Sequence, residues 1–122
     1  MKVLLDTNIL IDYLKGFAQA KREVALHQTL LISVITRIEV LVGARDQGEE
    51  QKLKAFLSRF ETVGIDRNTG DLAATIRRQL RIAVPDAVIL ATARAENALL
   101  VTRNTKDFPV NDPGVRVPYS LG

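Results

Sequence analysis

The stretch Val3-Leu4-Leu5-Asp6-Thr7-Asn8-Ile9-Leu10-Ile11-Asp12-Tyr13-Leu14 decides how the rest of the chain is read. Three consecutive apolar residues suit a buried strand, Asp6-Thr7-Asn8 suits a strand end and a helix start, and Ile9 to Leu14 read as one short helix closed by Gly16. A strand that feeds directly into a helix is the opening half of a parallel-sheet unit.

The same alternation continues outward from it. Ala18 to Gln28 mixes alanines and charges as a surface helix does, and Leu30 to Val34 is a second buried-strand candidate. Thr36 to Ala44 reads as a helix, with Ile35, Ile38, Leu41 and Val42 at helical spacing as its expected core face. Glu49 to Phe60 is amphipathic, with Leu53, Phe56, Leu57 and Phe60 on one side, and Thr62 to Ile65 is a short third strand. Asp71 to Leu80 reads as the next helix. Pro85-Asp86 opens another over Ala87 to Glu96, since proline suits a first turn and aspartate suits the positive end of the dipole. Leu99 to Thr102 is a fourth strand, and Val115-Arg116-Val117 is enough for a short last one in a proline-containing tail. Strands separated by helices imply an α/β fold of three layers, α/β/α, with a mostly parallel sheet of four to five strands covered by helices on both faces.

Composition narrows the chemistry. At 122 residues, 47% hydrophobic and 25% charged, the chain has the make-up of one globular domain with a core of its own, and no linker or repeat divides residues 1–122. Cysteine is absent and His27 is the only histidine, which excludes disulfide frameworks, thiolate or multi-histidine zinc sites, cysteine nucleophiles and most serine–histidine triads. His27 itself reads as a surface or boundary residue. Any metal must therefore be held by oxygen. No apolar run approaches the roughly 20 residues that span a bilayer, and Met1-Lys2 leads straight into the first strand, so the expectation is a cytoplasmic chain without a membrane partner. A net charge of +3 permits a polyanionic partner without demanding one.

In a parallel sheet ligands bind at the carboxyl edge of the strands, where each crossover helix also begins. Four acids map there: Asp6 after the first strand, Glu39 in the helix after the second, Asp86 at the head of a crossover helix, and Asp107 after the fourth. Singly, each has an ordinary explanation. Asp6 suits a helix cap, Glu39 stands three residues after Thr36 as in a capping box, Asp86 complements a dipole, and Asp107 suits a turn with Asn104. Together they would repel one another unless a cation compensates, and the natural compensators are Mg²⁺ and Mn²⁺, hard ions that prefer oxygen and work with phosphate. Asp12 reads as solvent-facing or helix-pairing, with a further acid near the site as the alternative.

These motifs resemble the PIN-domain ribonucleases, in particular the VapC-like toxins of type II toxin–antitoxin pairs. The likeness rests on Leu4 through Asp12, on Ile32-Ser33 through Ile38-Glu39-Val40 with Gly43, on Leu80 through Pro85-Asp86-Ala87 with Ala91-Thr92-Ala93, and on Leu100 through Phe108, in family order along nearly the whole chain. The resemblance implies a single PIN domain and a metal-dependent endoribonuclease. It implies that Asp6, Glu39, Asp86 and Asp107 hold Mg²⁺ or Mn²⁺ and carry catalysis, with Thr7, Asn8, Thr102 and Asn104 orienting ligands or phosphate. Many relatives carry an aspartate where this chain has Asn104; Asp107 is taken as the fourth acid because it keeps the charge. A homodimer and a cognate VapB-like antitoxin that blocks the site are also implied.

Arg77, Arg78 and Arg81 near one helix end, and Arg103 and Lys106 beside the fourth acid, could guide an RNA backbone or form a solvated basic surface. Two other classes remain open on sequence: a Mg-binding receiver-like signalling domain, disfavoured because Asp6 is followed by Thr7 rather than a second acid, and an RNA- or partner-binding module without catalysis.

Overall fold

The computed structural model describes residues 2–121. Its elements run β1 (Lys2–Leu5), α1 (Thr7–Leu14), α2 (Ala18–Leu26), β2 (Thr29–Ser33), α3 (Val34–Val42), α4 (Gln47–Leu57), β3 (Glu61–Val63), α5 (Arg67–Leu80), α6 (Val84–Ala95), β4 (Leu99–Val101) and β5 (Val115–Arg116). All neighbouring strands pair in parallel, in the order β3-β2-β1-β4-β5. No helix among the described residues is long and apolar enough to cross a membrane.

Strand periodicity of two divides the core between the faces of this sheet. Leu31, Leu4 and Leu100 lie in register across the three central strands and pack against Ala73 and Ile76 of α5 and the buried run Ala87 to Ala91 of α6. Val3, Leu5, Ile32 and Val101 point the other way, toward Ile9 and Leu10 of α1, Val24 of α2, Val40 of α3 and Leu57 of α4. Helices α5 and α6 thus cover one face and α1 to α4 the other, giving the three layers expected from the alternation.

Helix starts differ from the apolar pattern where a cap decides them. Helix α3 begins at Val34, not Thr36, because the Ser33 side chain accepts from the Ile35 amide at 3.1 Å. Thr36 therefore lies inside the helix, and the capping-box reading of Glu39 fails. Asp66 caps α5 by accepting from Thr69 N at 2.7 Å, so that helix starts at Arg67, ahead of its first apolar residue. Asp46 does the same for α4.

The expected core face of α3 is also corrected. Thr36 and Val40 are its buried residues, whereas Ile38 is 52% exposed and Val42 77% exposed. Half of the stripe keeps its place, since Ile35 and Leu41 pack partly buried against the two core layers, while Ile38 and Val42 face outward and the Thr36 hydroxyl turns inward to meet Thr7. Core truncation checks the layered packing: Leu4→Ala is expected to lower unfolding free energy by about 2–5 kcal/mol. Leu26→Ala, at an exposed site on α2, is expected to change it by no more than about 0.5 kcal/mol in urea denaturation.

Candidate functional site

The parallel register of β1 and β4 sets Leu5 beside Val101, and Asp6 and Thr102 are the residues that follow them. Two positions 96 apart in sequence thereby become neighbours, and Thr102 Oγ1 donates to Asp6 Oδ2 at 2.7 Å. Asp6 is also the N-cap of α1: its Oδ1 accepts from the Thr7 amide at 2.8 Å, and Asn8 Nδ2 donates to Oδ2 at 3.2 Å. The capping role and the site role are therefore filled by the same carboxylate. Three donors occupy three of the about four acceptor positions a carboxylate has.

Asp6 is only 4% exposed, and its pKa is pushed up to about 6, first by burial and further by repulsion from Asp86 and Glu39, against the lowering pull of Thr102 and Thr7. Asp86, in the first turn of α6, is half-buried and is also raised, by burial and by the charges of Asp107 and Glu39. Asp6 thus responds to Asp86 and Glu39, and Asp86 to Asp107 and Glu39, although the four come from separate segments.

The polar neighbours fix these acids in place. Thr7 Oγ1 donates to Glu39 Oε1 at 2.6 Å, with the Thr36 hydroxyl 3.0 Å from Thr7 Oγ1. Thr36 and Glu39 are three residues apart on α3 and so share a face. Asn104 settles into a turn: its Oδ1 accepts from the amides of Lys106 and Asp107, and its Nδ2 donates to Asp107 Oδ2 at 3.0 Å. Asn104 supports Asp107, whose charge, with that of Glu39, reaches Asp86. The Thr102 hydroxyl accepts from the Asn104 amide at 2.9 Å, tying this turn back to Asp6.

The donor set suits a hard divalent ion: oxygens only, several of them charged, the most buried one disfavoured as an anion. Among the described residues, no three acidic or histidine side chains stand close enough to hold one ion together. The structure therefore gathers the four acids at one edge without closing them around a point. A Mg²⁺ ion usually keeps several waters and takes only one or two carboxylates directly, so a loose set of this kind fits it.

Two side chains depart from what the sequence suggested for them. One is Thr36. The other is Asp12, which is not solvent-facing but 1% exposed, with Arg103 Nε and Nη2 donating to its two oxygens at 2.7 and 3.0 Å. The available signal was its position four residues after Asn8, which puts both on the side of α1 that faces the segment after β4. His27, a boundary residue as read, pairs with buried Glu23 at 2.7 Å, and Arg116 holds the same carboxylate.

The PIN domain family model matches residues 3–112. The chain is 37% identical over 112 residues to Ribonuclease VapC1 of Methanocaldococcus jannaschii, covering 88% of this chain and 79% of that one. It is 34% identical over 119 residues to the tRNA(fMet)-specific endonuclease VapC of Shigella flexneri, covering 88% and 90%. Among solved structures, a chain of a toxin-antitoxin complex from Klebsiella pneumoniae superposes with a TM-score of 0.92 at 40% identity, covering 98% of this chain and all of that one.

The raised carboxyl of Asp6 has a consequence for stability. A group whose folded pKa of about 6 exceeds its value of 3.8 favours the folded state fully below 3.8, and that contribution is lost as pH rises through about 6. Asp6→Asn keeps a capping oxygen but carries no charge. Its stability relative to the unsubstituted protein, in metal-free urea denaturation, is expected to improve progressively as pH rises across this window. A difference that does not change with pH would contradict the assignment.

Proposed function

This chain belongs to the PIN domain family, and from that membership we propose that residues 1–122 form one PIN domain working in the cytoplasm as an RNA-cleaving toxin, a Mg²⁺- or Mn²⁺-dependent endoribonuclease neutralised by a cognate antitoxin. The ribonuclease names of its relatives and the toxin–antitoxin complex it superposes on support the cleaving and neutralised parts of this reading. The observation that carries the chemistry is the placement of Asp6, Glu39, Asp86 and Asp107 at one sheet edge, with the carboxyls of Asp6 and Asp86 raised, in a chain with no cysteine and a single, engaged histidine. Family membership displaces the receiver-like alternative.

In this reading Asp6, Glu39, Asp86 and Asp107 would hold the ion. Bound there, it supplies charge neutralisation at the scissile phosphate and acidifies a water for attack. The chain's own residues do the rest. Thr102 and Asn8 hold Asp6 in one orientation, Thr7 holds Glu39, and Asn104 holds Asp107. The pKa of Asp6, pushed up to about 6, suits that carboxyl to take up a proton close to neutral pH, and burial with the charges of Asp107 and Glu39 raises Asp86 in the same direction.

Arg77, Arg78 and Arg81 are exposed at the C-terminal end of α5 and support contact with an RNA backbone. Arg103 does not join them, because Asp12 neutralises it. Aromatic stacking on bases has little to work with: Phe60 and Phe108 are buried, and Tyr13 and Phe56 pack on each other at 5.3 Å between ring centres. The name of the Shigella relative makes transfer RNA the first substrate to assay. Exposed Ile38 and Val42, one turn apart on α3, support a homodimer through that face.

The test is cleavage of RNA by purified protein with Mg²⁺, with Mn²⁺ and with chelator. Cleavage is expected only with metal, and Asp6→Asn and Asp86→Asn are each expected to reduce it by about 10²-fold or more, the equivalent of several kcal/mol of transition-state stabilisation. Both variants should keep the circular dichroism of the folded chain. RNA binding without cleavage in the unsubstituted protein would instead identify a catalytically silent binding module. Induced expression is expected to arrest growth, and Asp6→Asn to relieve it.

A further inference from the structure

We propose that Asp12 is a positioning residue for the acidic site: through Arg103 it clamps the segment from Thr102 to Asp107 onto α1, and Tyr119 of the C-terminal tail completes the clamp. The inference rests on the metal-dependent reading above and extends it to a residue outside the quartet.

A carboxylate taken out of water is costly unless its partners replace the lost hydration. Asp12 has such partners. Arg103 grips both of its oxygens in a two-pronged arrangement, and Tyr119 OH donates to Oδ2 at 2.9 Å. Breaking such a pair leaves an uncompensated buried charge, so the geometry is held firmly.

What it holds is the root of the loop that bears Asp107. The Arg103 amide donates to Asn8 Oδ1 at 3.2 Å, while Asn8 Nδ2 donates to Asp6. On either side of Arg103, Thr102 donates to Asp6 and Asn104 donates to Asp107. The Arg103 backbone is thus flanked by a hydrogen bond to Asp6 on one side and one to Asp107 on the other, and its side chain is the only part of this segment bonded to Asp12 among the described contacts. Fixing the side chain fixes the spacing between the two acids. An arginine free to meet RNA phosphate would not need a buried carboxylate and a tyrosine behind it.

The experiment uses Asp12→Asn, Arg103→Lys and Tyr119→Phe in the full chain, with three readouts: Mn²⁺ affinity by electron paramagnetic resonance without RNA, kcat and KM for an RNA substrate at saturating Mn²⁺, and Tm. Glu23→Gln is the control, since Glu23 is an equally buried carboxylate gripped by Arg116 through the same two-pronged contact but reaching none of the four acids. Outer partners of metal ligands typically change affinity or activity by 10–100-fold. Asp12→Asn and Arg103→Lys are expected to weaken Mn²⁺ binding about tenfold or more and to lower kcat, with KM for RNA within about twofold. Tyr119→Phe should move the same readouts in the same direction by a few-fold, whereas Glu23→Gln should lower Tm and leave Mn²⁺ affinity unchanged.

Unchanged Mn²⁺ affinity in a folded Asp12→Asn protein would overturn the proposal. So would a raised KM with kcat and Mn²⁺ affinity intact, which would assign Arg103 to RNA. Where Asp12→Asn does not fold, Tyr119→Phe decides by the same criteria, as it removes one hydroxyl. An unsubstituted protein that binds no Mn²⁺ overturns the metal reading and this inference together; one that binds Mn²⁺ and loses it in Asp6→Asn, but not in the clamp variants, overturns only the clamp.

Discussion

A carboxylate placed at the end of a buried strand has to find hydrogen-bond donors that the strand itself cannot supply, and most of the architecture follows from how Asp6 finds them. Its principal side-chain donor, Thr102, comes from the opposite end of the sequence and arrives only because β1 and β4 pair in parallel with Leu5 beside Val101. A slip of one residue between these strands would turn Leu100 from one core layer to the other and withdraw the hydroxyl at the same time. Hydrophobic layering and polar satisfaction thus demand the same register. Agreement of this sort between levels is what lets a sequence specify one arrangement.

The donors around Asp6 do not neutralise it. Thr102, Asn8 and the Thr7 amide each lower its pKa or satisfy an oxygen, yet burial outweighs them and the carboxyl still sits near 6. Structural acids elsewhere in the chain behave differently. Glu23 is about as inaccessible to solvent as Asp6 but is held below the ordinary carboxylate range by Arg116 and His27, and Asp12 is matched by Arg103. The protein has arginines to give to buried acids and gives none to Asp6, Glu39 or Asp86 among the described ion pairs. That contrast is the electrostatic ground for reading the quartet as a place that receives charge from outside the chain.

Much of this was visible in the order of residues. The three central strands were marked by short apolar runs, and the acids could be placed at one edge because parallel strands all end on the same side. What stayed hidden had local causes. Asp46 and Asp66 start helices before their apolar pattern begins, so a periodicity argument enters those helices late, and Ser33 starts α3 at Val34, an apolar residue that reads equally well as the end of the strand before it. Ile38 and Val42 share the spacing of core residues, and hydrophobicity alone does not say whether an apolar stripe meets its own chain or another. Asp12 looked like a surface acid because its partners, Arg103 and Tyr119, lie about ninety or more positions away. Pairings of that separation leave no periodic trace. Charge alone favours Asp107 over Asn104, and the geometry adds what the order of residues does not show: Asn104 builds the turn and Asp107 rides on it.

The uniform direction of the strands also sorts the two ends of the polypeptide. Lys2 opens β1 at the amino edge of the sheet, and the strand's four residues, at about 3.3 Å each, put it on the order of 13 Å from the acids. The tail, by contrast, reaches α1 through Tyr119 and touches the carboxylate that grips Arg103. A purification tag or fluorescent fusion joined ahead of Lys2 therefore leaves from the side away from the chemistry, while one joined at the other terminus pulls on a segment already engaged.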